Sequence, residues 1–251
     1  MVHDMNTPNK STECQDVALT QKPCRRSSHG LCRPLSRLGL CLGLAALLAS
    51  STGCTYMMFL GYLIGGPPTI EPDFDAETKE SMTDKDVTVA VVCYAPTEIR
   101  YSFEDIDHEL SKHVGYRLHQ HKIKVISPDR IRAWLDENRD WDKPEEIGEA
   151  FKTTYVVYID LNRFSLYEDG SASLYRGKAE AVVSVWKMDD HGEAEKIYST
   201  EKISKFPQHQ AISASEETYQ HFKARYLTRL SDEIGHIFYE YTTYDEIGNA
   251  N

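Results

Sequence analysis

The side chains best spaced for chemistry are those of His108-Glu-Leu-Ser-Lys-His113. A helical His-Glu-x-x-His zinc site needs imidazoles four residues apart, so that both face one ion. Here they are five apart, which turns the second ring by about 140° around a helix of 3.6 residues per turn. His108, Glu109 and His113 are therefore the candidates for a metal-dependent hydrolase, and their spacing points instead to a solvated helix face. His119 and His121 follow near the expected helix end, where the negative end of the helix dipole suits an imidazole without any metal. Asp105, Asp107 and Glu109 suit the opposite end of the same dipole. The chain has no Gly-x-Ser-x-Gly, no Walker A sequence and no Gly-x-Gly-x-x-Gly. The expectation is a non-enzyme with no catalytic residue, no cofactor and no metal.

Cysteine usage divides the chain. Cys14, Cys24, Cys32 and Cys41 precede Cys54, and only Cys93 follows it. Cleavage before Cys54 would leave Cys93 without a disulfide partner, and its apolar surroundings suit a small core residue. Charge divides the chain at the same place. The formal net charge is −11, yet residues 1–53 hold six Lys/Arg against three Asp/Glu. The remainder is strongly acidic and has no Lys/Arg cluster after Arg37, which argues against nucleic acid as a partner.

The elements that must position these groups are readable from periodicity. Val87–Tyr94 is a continuous apolar run, as in a strand buried on both faces. Ser102 is expected to cap a helix with Phe103, Ile106, Leu110, Val114 and Leu118 on one face. Ile123–Ile126 is a short second strand. Ser127-Pro128 then opens a helix burying Ile131, Trp134 and Leu135, and Pro144–Phe151 forms another. Tyr155–Phe164, Leu174–Met188 and Lys196–Phe206 follow as hairpin-connected strands, the last charged as an edge strand should be. A capping box at Ser213 and Glu216 is expected to open a long helix, with Tyr219, Phe222, Tyr226, Leu230, Ile234, Ile237 and Tyr241 inward. The fold class is α/β: a three-layer domain, β-α-β-α-α-β-β-β-α, with a mixed, mostly parallel five-stranded sheet and a long C-terminal helix.

The front of the chain reads as an export signal. Arg25, Arg26, Arg33 and Arg37 precede the apolar stretch Leu38–Leu48, which is too short to span a bilayer. Small residues lead to Thr52-Gly53-Cys54, which resembles the lipobox of bacterial lipoproteins, although Ser51 stands where an aliphatic residue is usual. That resemblance implies an acyl anchor (palmitate class) on Cys54, the site residue of this reading. The rival reading is a single-pass signal anchor, because Tyr56–Ile64 prolongs the apolar stretch and no charge occurs from Leu38 to Ile70. Residues 1–53 are then the signal segment, 54–84 an apolar stub and Gly/Pro linker, 85–245 one domain and 246–251 a disordered tail. The linker stretch Gly66–Asp84 would reach about 60 Å if extended.

Val87–Tyr94, Lys122–Trp134 and Lys152–Pro207, with Tyr155-Val-Val and Leu174-Tyr-Arg-Gly-Lys, give the domain a resemblance to a shared α/β fold. It is that of the TolB amino-terminal domain, the CsgG-type curli-secretion lipoproteins and the penicillin-binding-protein activators, an anticodon-binding-like fold. Lys152-Thr-Thr154 departs from the Gly-Ala-Asp-type turn common before the third strand. The resemblance implies a non-catalytic interaction or assembly role at the periplasmic face of the cell envelope. The expected partners are the membrane, through Cys54, and an envelope protein or a second copy of this chain.

Overall fold

The computed structural model describes residues 68–242 and, ahead of them, Met58, Leu60, Gly61, Leu63 and Gly66. The chain forms two compact units, Met1–Leu63 and Ile64–Asn251, and the second holds the α/β domain. Its central sheet has the order β2 (Val89–Tyr94), β3 (Tyr155–Tyr167), β4 (Leu174–Met188), β5 (Ala194–Phe206), with β6 (Ile212–Ser213) also paired to β4. Alternate residues of β2 enter two different cores, as the continuous apolar run requires. Val89, Val91 and Cys93 join one core, whereas Ala90 and Val92 join the other with Ile131, Ile147 and Val156.

Helices cover both faces, so the domain is three-layered. On one side lie α3 (Ile106–Gln120) and α6 (Tyr219–Gly235). On the other lie α4 (Pro128–Glu137) and α5 (Pro144–Phe151). Helix α3 buries Ile106, Leu110, Val114 and Leu118, the expected stripe. Tyr226 of α6 lies flat on β4, where a Cβ on Gly177 would meet its ring at 2.4 Å. Only glycine permits that approach.

The α/β class, the five strands and the long last helix hold, but the balance of strand directions is reversed. Among the described strands, only β2 and β3 pair in parallel. The pairings β3–β4, β4–β5 and β4–β6 are antiparallel. Ile123–Ile126, expected as a parallel strand, touches the sheet through one bridge, Val89 to Val125. It is pinned by Val89 N–H donating to Lys124 O and Ile126 N–H to Val89 O, both at 2.9 Å. Pro128 then stands at the first turn of α4, which ends any extended run. Ser127 is its N-cap by position, but its hydroxyl makes no capping bond. The fifth strand is instead β6, which uses Ser213.

That pairing also displaces the expected capping box. Helix α6 starts at Tyr219, with the Thr218 hydroxyl accepting from His221 N–H. Tyr241, the last residue of the expected helix, lies in β7 (Tyr241–Thr242). Ser102 likewise closes a short helix, α2 (Thr97–Ser102), rather than capping α3. Phe103 follows just outside that helix, its ring edge-on to Phe164 at 4.9 Å.

The largest correction concerns the stretch before Asp84, expected to be linker. β1 (Thr69–Ile70) pairs antiparallel with β7, and α1 (Asp73–Thr78) follows. Phe74 and Met82 are fully buried in the larger core. Phe74 meets Tyr155 and Tyr198 edge-on at 5.8 and 5.7 Å. Tyr155 donates to Glu80 at 2.6 Å, and Lys187 pairs with the same carboxylate. The lysine ammonium and the phenol together hold the Glu80 carboxyl below its usual range. The domain thus begins at Thr69, because two apolar anchors and one buried-edge carboxylate fasten an otherwise acidic segment.

Candidate functional site

Cys54 lies outside the described residues. The other candidates are on α3, and the helix sends them to different neighbours. His108 Nε2 is 3.1 Å from Asp129 Oδ1 on α4, and Lys112 Nζ reaches the same oxygen at 3.2 Å. Lys112 and then His108 hold the Asp129 carboxyl below the usual carboxylate range. Glu109 turns the other way, to Lys223 of α6 at 2.5 Å. His113 sits half-buried beside α6, and burial pushes its imidazole below the ordinary histidine value. His108, Glu109 and His113 therefore share no centre at which one ion could sit. Among the described residues, no group of three or more His, Cys, Asp or Glu is placed to hold a metal.

His121 and the residues after α6 form a stack at the C-terminal end of α3. The His121 ring lies on Tyr239 at 3.5 Å and 2° from parallel. His236 lies on Tyr241 at 4.0 Å and 5° from parallel, and edge-on to Tyr239 at 5.7 Å. A Cβ on Gly235 would meet the Tyr239 ring at 2.7 Å, so the end of α6 is shaped to admit it. Flat imidazole–phenol stacking is a packing role. Sequence spacing could not reveal the His121–Tyr239 stack, since its partners come from distant parts of the chain.

Cys93 is buried at the carboxyl end of β2. Burial pushes its thiol well above the usual range, and Asp107 and Asp160 push the same way, so it is a poor nucleophile. The crevice beside it encloses only about 20 Å³, room for one water at most. Arg132 closes that side with Asp105 at 3.1 Å, Asp136 at 3.3 Å and Asp107 at 3.6 Å. A guanidinium with three carboxylates has its donors engaged, which makes this a clamp between α3 and α4.

What remains is surface. A groove of about 300 Å³ runs between α3 and α6, with His113, Tyr116, Ala224 and Leu227 among its walls and Lys112 and Lys223 at its rim. Tyr94 and Tyr101 are exposed near the carboxyl end of β2. The outward face of β4 carries Arg176, Lys178 and Glu180. Arg176 pairs with Glu168 at 2.7 Å and Lys178 with Asp169 at 2.7 Å, while Arg163 reaches Glu180 at 3.1 Å. Beside them Ile203 of β5, opposite Glu180, is 72% exposed. Among the described residues, no nucleophile, base and oxyanion partner meet at one point.

No family model and no curated protein matches the chain, so the resemblance to the TolB, CsgG and activator families rests on the residue pattern alone. Among solved structures, the chain is similar to lipoprotein GNA1162 from Neisseria meningitidis at 9% identity and a TM-score of 0.38, over 59% of this chain and 97% of that one. It is similar to a PelC dodecamer from Paraburkholderia phytofirmans at 11% identity and a TM-score of 0.37, over 68% and 96%. The hypothetical protein CT253 from Chlamydia trachomatis is similar at 16% identity and a TM-score of 0.35, over 59% and 87%.

Proposed function

We propose that this protein is a membrane-tethered, non-catalytic lipoprotein of the cell envelope. Its α/β domain acts at the periplasmic face as an interaction or assembly module for an envelope protein or a second copy of itself. The observation that carries the reading is Cys54, set between the eleven-residue apolar stretch Leu38–Leu48 with the small residues Ala49–Gly53 after it and a folded domain that begins at Thr69. Fourteen residues separate the two, so the domain stays within about 50 Å of the lipid even if they are fully extended. Confinement of that kind raises the effective concentration of partners in or beside the same membrane. The inward pairing of the domain's polar groups supports binding over catalysis: His108 with Asp129, Glu109 with Lys223, Arg132 with three carboxylates. So do the charges on the outward face of β4, which a lipid-facing barrel strand would exclude.

Intact mass of the membrane-extracted protein tests the tether. The expected result is a diacylglyceryl cysteine as residue one. A mature chain retaining residues before Cys54 would sink the lipoprotein reading. It would favour the single-pass signal anchor, for which the absence of charge from Leu38 to Ile70 speaks.

A further inference from the structure

We propose that the outer edge of β5 is a self-docking surface, where two copies of this chain pair their strands antiparallel about a two-fold axis through Ile203. The sheet ends at β5, which has β4 on one side and, among the described residues, no strand on the other. From Ser199 to Phe206 its side chains alternate. Ser199, Glu201, Ile203 and Lys205 stand exposed on the outward face, while Ser204 and Phe206 are buried and Thr200 and Lys202 partly so. This half of β5 pairs with Gly177–Val182 of β4, whose outward positions Lys178 and Glu180 are charged. Ile203 is thus a large apolar group left 72% exposed on an open edge, with opposite charges two residues away on either side. Neither Glu201 nor Lys205 makes an ion pair among the described residues. Glu180, opposite Ile203, is taken by Arg163, and Asp169 by Lys178, with Lys205 adding only a weaker field there.

The order of residues selects the register. Two-fold pairing across an edge keeps outward side chains outward, so the axis must pass through one residue. Through Ile203 it sets Ile203 against its own copy, and each Glu201 against Lys205 of the second copy. On the inner face Lys202 then meets Ser204 and Thr200 meets Phe206, so no like charges are opposed. An axis through Glu201, Lys202 or Lys205 would put like charges face to face, which destabilises a strand pair. An axis through Thr200 runs the ladder into Ile197, which the pairing with β4 skips. One through Ser204 sets Ile203 against Lys205. Pro207, with no N–H to give, ends the ladder at Phe206. Lysines on an edge strand ordinarily repel other strands. Here they discriminate, because a reversed copy of the same sequence supplies the matching carboxylates.

This inference deepens the proposed role and rests on its premise that the domain binds; it names a second copy as the partner and β5 as the surface. A single strand ladder is a small interface, so a dissociation constant of roughly micromolar order is expected in solution. Confinement on a common membrane raises its occupancy. The test uses the full chain in mild detergent, followed by sedimentation velocity. Glu201→Lys and Lys205→Glu each turn two matched pairs per dimer into like-charge pairs, and each should weaken self-association about tenfold or more. An equal mixture of the two variants should dimerise, because every Lys then meets a Glu. The double variant Glu201→Lys, Lys205→Glu should dimerise as the parent does. In isolated membranes, a short bismaleimide should link Ile203→Cys to its own copy, and Glu201→Cys to Lys205→Cys but not to itself. A dimer that survives both single reversals, a mixture that stays monomeric, or a parent with neither a dimer in detergent nor a link at Ile203→Cys overturns the inference. Absence of that link together with an in-cell crosslink to another envelope protein defeats the edge pairing alone. An uncleaved leader in a chain that still dimerises through β5 defeats the lipoprotein reading alone.

Discussion

On one face of the sheet α1, α3 and α6 meet Val89, Val91, Ile159, Val183 and Val185, and aromatic rings fill the layer: Phe74, Phe164, Tyr226, Phe222 and Phe238. On the other face α4 and α5 meet Ala90, Val92, Val156 and, less completely, Tyr158 of β3 and Trp186 and Met188 at the far end of β4. The long hairpin strands run beyond β2, so the early part of β4 has a helix on one side and none on the other. The residues follow that division along one strand. Tyr175, Ala179, Ala181, Val183 and Val185 are all buried, while the alternate positions change from Arg176, Lys178 and Glu180 to Val182 and Trp186 as cover becomes available. Where no helix comes, long cationic side chains lie over the sheet with their stems on apolar surface and their charges on Glu168 and Asp169. The lesson is that charge pattern along a strand reports which length of it another element covers.

Three substitutions probe this contrast, read by urea or thermal unfolding of the domain. Phe222→Ala, which empties a fully buried site between α6 and β4, should cost about 3–5 kcal/mol; a loss below about 1 kcal/mol would mean that α6 is not the principal cover. Gly177→Ala puts a methyl against the face of Tyr226 and should cost about 1–3 kcal/mol by overpacking. A neutral result would show that the ring is free to withdraw. Ile203→Lys, on the bare side, should change stability by no more than about 0.5 kcal/mol. If the isolated domain is instead markedly destabilised, something in it covers Ile203 and the two faces are less unequal than described.

Much of this was legible in residue order, and the misses have identifiable causes. Val87–Tyr94 declared a strand with two buried faces, and Leu110, Val114 and Leu118 declared the face of α3. His108 and His113 of α3 meet different neighbours, as the angle between positions five apart on a helix requires. Phe74 and Met82 were not, since two apolar residues in an acidic stretch set up no period. Tyr241 continued the rhythm of α6 although the chain leaves the helix at Gly235, and Ile237 stays buried because the turn keeps it on the same core. Ser213 and Glu216 had the spacing of a cap, yet pairing of Ser213 with Leu174 prevailed. The Arg132 clamp and the His121–Tyr239 stack depend on tertiary contact and leave no local signature.

The pairing of β1 with β7 has a mechanical side. If the proposed tether holds, a pull on the domain from its amino-terminal side would enter at Thr69, where the chain forms a two-residue ladder to Thr242 and Tyr241. Behind the ladder, Phe74 N–H is held by Ile237 O at 3.1 Å, and its ring is enclosed by Tyr155, Tyr198 and Phe238. Load is thus taken by a short, replaceable clasp and then by a single ring in a socket. Thr69 and Phe74 precede the central sheet along the chain, whereas the socket walls Tyr155 and Tyr198 belong to β3 and β5, so the clasp joins the start of the domain both to its last strand and to the sheet.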